Sequence, residues 1–130
     1  MKNPMDLGEY FPCLDVEDLQ ASIDFYQKLG FEITSDERKD NWAVLQHNNM
    51  ALCLYQGHID SNLINFRGGD INEIAEQIKE AGLALSKPAI TEEDGSQSAE
   101  IMDPDGNVIY FNTFPDERVE YLKSGKLIDY

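Results

Sequence analysis

The segment DLQASIDFYQKLG, residues 18 to 30, sets the architecture because the chain carries its arrangement twice. Apolar side chains at Leu19, Ile23, Tyr26 and Leu29 recur with a helical period. Asp18 stands where an N-cap belongs and Gly30 where the helix stops. Residues 70 to 82, DINEIAEQIKEAG, do the same with Ile71, Ile74, Ala75, Ile78 and Ala81, and Asp70 with Glu73 has capping-box spacing. Asp18 and Asp70 are 52 residues apart, and so are Gly30 and Gly82.

Each helix sits in the same context. A strand-like run precedes it, at 10–16 in the first half and 62–67 in the second. Three more runs follow it, at 31–38, 42–47 and 50–55, and then at 83–90, 98–102 and 108–113. Asn48-Asn49 predicts a two-residue hairpin loop, and Asp103-Pro104-Asp105-Gly106-Asn107 a turn before the last strand. The expectation is an α+β domain over 1–130 built from two βαβββ modules, about 8–57 and about 62–114, with mixed sheets curved like a cup around a cavity. The tail, 115–130, carries Val119, Tyr121 and Leu122, which suit one or two helical turns covering an edge.

Strand alternation divides the faces. In the first module Leu14, Leu52 and Leu54 suit the helix side, which leaves Phe11, Cys13, Asp15, Cys53 and Tyr55 for the hollow. A hairpin tip at Asn48-Asn49 sets Trp42 opposite Tyr55, Val44 opposite Cys53 and Gln46 opposite Ala51, adding Trp42 and Gln46 to that face. In the second module Ile64, Phe66, Ile109 and Phe111 suit the helix side. Asn65, Arg67, Tyr110 and Asn112 then face the hollow, with Glu100 opposite Tyr110. Aromatic walls with a few polar groups are the makeup of a small-molecule pocket. The same aromatics also suit plain filling between sheets. Catalytic candidates on these faces are Glu100, Tyr110 and Cys53, and Glu100 with Arg67 suits either acid–base work or a buried ion pair.

Charge and composition narrow the partners. The net charge of −15 repels phosphate backbones and disfavours nucleic acid, while it favours a cationic ligand. There is no apolar run of transmembrane length, and MKNPMDLGEY lacks the apolar segment of a secretory signal, so a cytoplasmic protein without a membrane role is expected. Cys13 and Cys53 lie in apolar runs and are expected as buried thiols.

CLDVEDLQASIDFYQKLGFE (13 to 32) and AEIMDPDGNVIYF (99 to 111) resemble the vicinal oxygen chelate superfamily, which includes glyoxalase I, bleomycin-resistance proteins and extradiol dioxygenases. The resemblance implies paired βαβββ modules, a cup-like cavity and, as in many members, a homodimer whose modules associate between chains, although the sequence leaves open pairing within one chain. It also implies that metal-dependent members take one ligand from the first and last strand of each module. Aligned by motif, those positions are Phe11, Cys53, Leu63 and Tyr110. Phenylalanine and leucine have no lone pair to give, and a lone cysteine with a neutral tyrosine does not hold a hard divalent ion. The expectation is therefore no metal, no cofactor, and a small-molecule binder of the bleomycin-resistance kind. The alternatives are a lyase, isomerase or dioxygenase-type enzyme with a displaced or absent metal site, and an interaction or regulatory module whose cavity is filled by its own aromatics.

Overall fold

The computed structural model describes residues 5–48 and 50–127. Asn49 of the expected hairpin loop and residues 128–130 of the tail lie outside the described residues, as do residues 1–4 of the N-terminal stretch. The chain forms two compact units, one of residues 11–63 and one of residues 5–10 with 64–127.

The first unit contains β2 (Cys13–Asp15), α1 (Leu19–Lys28), β3 (Glu32–Glu37), a 3₁₀ turn (Arg38–Asp40), β4 (Trp42–His47) and β5 (Met50–Tyr55), in the sheet order β3-β4-β5-β2. It is a mixed sheet: β2 runs parallel to β5, and the β3–β4 and β4–β5 pairs are antiparallel. Asp18 caps α1 by accepting from the Ala21 amide at 3.1 Å, and Gln56 Oε1 takes the Leu19 amide at 2.8 Å, so two orphan donors of the first turn are satisfied. The helix buries Leu19 and Ile23 against Ala43, Leu45, Leu52 and Leu54, with Leu14, Tyr26, Phe31 and Ile33 around them.

The second unit contains β6 (Leu63–Gly68, of which Leu63 belongs to the first unit), α2 (Ile71–Glu80), β7 (Lys87–Thr91), β8 (Gln97–Met102), β9 (Val108–Thr113) and α3 (Pro115–Ser124). Its sheet order is β6-β9-β8-β7, and β1 (Gly8–Tyr10) pairs antiparallel with β6. Asp70 caps α2 through the Glu73 amide at 3.2 Å. Ile71, Ile74 and Ile78 pack on Ala99, Ile101 and Phe111.

Three expectations need correction. The run at 10–16 is two strands: Gly8–Tyr10 joins the second unit by pairing with β6, and Cys13–Asp15 stays in the first. Gly8 permits this, because at φ +94° a Cβ there would lie 2.2 Å from the Arg67 carbonyl oxygen. The strand expected at 83–90 starts only at Lys87, and Leu83 lies exposed after the helix stop. The tail is a ten-residue helix rather than one or two turns, and of its apolar residues Tyr121 is the one that docks. Tyr121 lies over Gly68 and donates to Asp6 at 2.7 Å, whereas Val119 and Leu122 remain exposed.

Candidate functional site

The helix-free face of the first unit has one ordered feature. Cross-strand register places Asp15 beside Tyr55, Tyr55 beside Trp42 and Trp42 beside Glu37, a row across four strands. Register partners share a face, so all four side chains stand opposite α1. The Trp42 and Tyr55 rings stack with centroids 6.0 Å apart and planes 25° apart, and His58 meets Tyr55 edge-on at 5.8 Å. His58 Nε2 is itself 2.7 Å from the Asp40 carbonyl oxygen, which ties the loop after β5 to the 3₁₀ turn. Both rings of the stack are only half-buried, and Asp15 is exposed. Two carboxylates thus flank an accessible aromatic pair.

The rest of that face is closed. Phe11, Cys13, Val44, Ala51 and Cys53 are buried, with Cys13 and Cys53 as register partners. Cys13 Sγ points to the Phe11 carbonyl oxygen at 3.4 Å. Gln46 occupies the expected face, but its amide donates to the Asn48 carbonyl at 3.1 Å and so braces the hairpin end.

On the helix-free face of the second unit the polar residues form three separate groups. Asn65, buried, donates to the Tyr110 carbonyl at 2.9 Å and to Asn112 Oδ1 at 2.8 Å, locking β6 to β9. Glu100 is opposite Tyr110 on one side and Lys87 on the other. Its carboxylate accepts from Ser86 Oγ at 3.0 Å and lies 3.6 Å from Lys87 Nζ. Arg67 is not the partner of Glu100 that the sequence suggests. Its guanidinium pairs with Glu117 of α3 at 2.5 Å and lies 6.0 Å from the Phe114 ring centroid, because α3 folds back along β6. Arg118 reinforces this by donating to the Gly68 carbonyl at 2.9 Å. No pattern in the sequence foretells Glu117, since the tail has no periodicity that names its docking face.

The turn ahead of β9 is built from its own aspartate. Asp103 accepts from the amides of Asp105 and Asn107, both at 2.9 Å, and from Asn107 Nδ2 at 2.8 Å. The Asn107 side chain, then the amides of Asn107 and Asp105, hold the Asp103 carboxyl below its ordinary range. Gly106 completes the turn at φ +85°.

The family model described as the Glyoxalase/Bleomycin resistance protein/Dioxygenase superfamily matches residues 12–111. The chain belongs to this superfamily. Among solved structures, a superfamily member from Vibrio splendidus 12B01 aligns with 81% of this chain and 97% of its own, at 17% identity and a TM-score of 0.66. The NAD-dependent benzaldehyde dehydrogenase of Legionella pneumophila aligns with 81% of this chain and 98% of its own, at 15% identity and a TM-score of 0.67. At such identities these two share the fold with the present chain, and their names describe their own activities. No curated protein matches the chain.

The donor set does not fit the metal that some superfamily members use. Phe11 and Leu63 offer no donor atom, Cys53 is fully buried among apolar neighbours, and Tyr110 faces Glu100 across a strand pair. Among the described residues, no group of three or more His, Cys, Asp or Glu side chains is gathered closely enough to hold an ion. No helix among them is long and apolar enough to cross a membrane.

Proposed function

We propose that this member of the superfamily binds a small cationic aromatic molecule on the helix-free face of its first unit, without a metal. The observation that carries the reading is the row Asp15–Tyr55–Trp42–Glu37. Stacked, half-buried rings supply π faces for a planar cation, and the carboxylates at both ends supply the opposite charge. The net charge of −15 raises the local concentration of any cation around the chain. This reading places the protein in the cytoplasm, where the buried thiols of Cys13 and Cys53 stay reduced.

Trp42 is the only tryptophan, so its fluorescence reports on this site alone. Ethidium is expected to quench it saturably, and Trp42→Ala to weaken ethidium binding about tenfold, on the order expected of a partly desolvated cation–π contact. Asp15→Asn and Glu37→Gln should each weaken binding less, and more so at low salt. Failure of ethidium to quench Trp42, or unchanged affinity in Trp42→Ala, sinks the reading.

The row Lys87–Glu100–Tyr110 favours a second reading, a metal-free lyase or isomerase using Glu100 as base or acid. Turnover of small oxygenated carbonyl compounds that persists in chelator and vanishes in Glu100→Gln would favour it over the binding role.

A further inference from the structure

The two units pack their helices with the same plan and different residues. The shared offset of 52 between Asp18 and Asp70 sets Tyr26 against Ile78 and Phe31 against Leu83. In the first unit, Tyr26 and Phe31 meet edge-on at 5.2 Å, and Phe31 meets the His47 ring at 5.2 Å. This aromatic plug closes the far end of the helix–sheet interface. A Cβ on Gly30 would already touch the His47 ring at 3.3 Å. In the second unit the corresponding Gly82 has nothing within 4 Å of such a Cβ, and Leu83 is 57% exposed. What the plug fills in one unit is a cavity of about 490 Å³ in the other.

We propose that this cavity is a binding site for a small neutral apolar molecule, a compact aliphatic or monocyclic group. Ile64, Phe66, Ile78, Ile101 and Ile109 form its walls, and Met5 and Leu7 close one side. The volume falls within the range of small-molecule pockets. Its lining offers water almost no polar atom to bond. The one charged lining residue is Asp103, and its oxygens are committed to the amides of the turn. Three N–H donors already occupy most of that carboxylate's lone pairs, so it is a poor partner for a cation, and its charge repels an anion at the rim. A charged ligand would therefore be desolvated without a good partner. Leu83 and the half-exposed Met102 both line the cavity, so it is open to solvent on their side. None of the polar or aromatic residues of the helix-free faces contributes to it.

The test uses the full chain, with octan-1-ol and octanoate as probes. Octan-1-ol is expected to shift the methyl resonances of Ile78, Ile101 and Ile109 saturably and to raise Tm, with octanoate at least about tenfold weaker. Leu83→Phe rebuilds the plug of the first unit and should weaken octan-1-ol binding at least about tenfold while leaving the quenching of Trp42 by ethidium unchanged. Ile109→Phe fills the same space from the sheet side and gives the same readout should Leu83→Phe misfold. The proposal fails if octan-1-ol shifts none of these methyls up to its solubility limit. It fails equally if both folded filling variants bind octan-1-ol as the native chain does.

Discussion

The first unit closes its helix–sheet interface with rings; the second covers the same region with branched aliphatic side chains and leaves a cavity. Both start from a capped ten-residue helix of similar amphipathic plan. The difference lies in side-chain reach. A phenylalanine after the helix stop folds back onto Tyr26, whereas a leucine in that place is too short to cross and stands in solvent. Interiors are close-packed, so a shortfall of two rings is not absorbed by small relaxations of the backbone. The helix-free faces differ in the opposite sense. The first offers an accessible aromatic row with acids at its ends, and the second ties its polar groups into internal pairs.

Truncating the plug is the sharpest way to break this comparison. Phe31→Ala should cost about 3 kcal/mol, the low end for a ring that is only partly buried. Leu83→Ala should cost well under 1 kcal/mol, as expected for an exposed side chain. Equal losses in urea unfolding would show that the two ends are packed alike. Next in size is Asn65→Ala, about 2 kcal/mol, since it leaves the partly buried Tyr110 carbonyl and Asn112 amide oxygen without that donor. Its counterpart by the same offset, Cys13→Ala, should cost less, because a thiol is a weaker hydrogen-bonding group than a carboxamide. Rebuilding the plug with Leu83→Phe should stabilise the chain by about 1 kcal/mol, typical of cavity filling. A destabilised variant would mean that the space is not rigid.

The smallest effect concerns α3, which only the second unit has. The hydrogen bond to Asp6, helped by burial, pushes the Tyr121 hydroxyl up to about 12 from its ordinary 10.0. A folded value above the unfolded one means that the stability this contact contributes is whole below pH 10 and is lost as pH rises toward 12. Tyr121→Phe should therefore be slightly less stable than the native chain at neutral pH, with the gap closing between pH 10 and 12. A gap that stays constant across that window would place the effect in packing alone.

Much of the scaffold is legible in the sequence. Caps at Asp18 and Asp70, stops at Gly30 and Gly82 and the period-two strands are local signals, and the helices follow them. The pairings Trp42–Tyr55, Val44–Cys53, Gln46–Ala51 and Glu100–Tyr110 also follow, because a short loop and one buried face leave a single register. The break between Tyr10 and Cys13 is legible only in part. Pro12, which has no N–H for a ladder, marks an interruption there, but the pairing of Gly8–Tyr10 with β6 is a contact across more than fifty residues that no local signal gives. The pairing of Arg67 with Glu117 rather than Glu100 has the same cause, since both acids are chemically suitable and only the path of α3 chooses.

By itself the sequence determined the repeated unit and the faces of its strands, because these depend on residue type and spacing along one element. Tertiary structure decided that Trp42 and Tyr55 stack beside two carboxylates, that Arg67 is taken up by Glu117, and that the space behind Leu83 is a cavity. Those outcomes depend on how far a side chain reaches across a gap set by elements distant in the chain, and no local pattern encodes that distance.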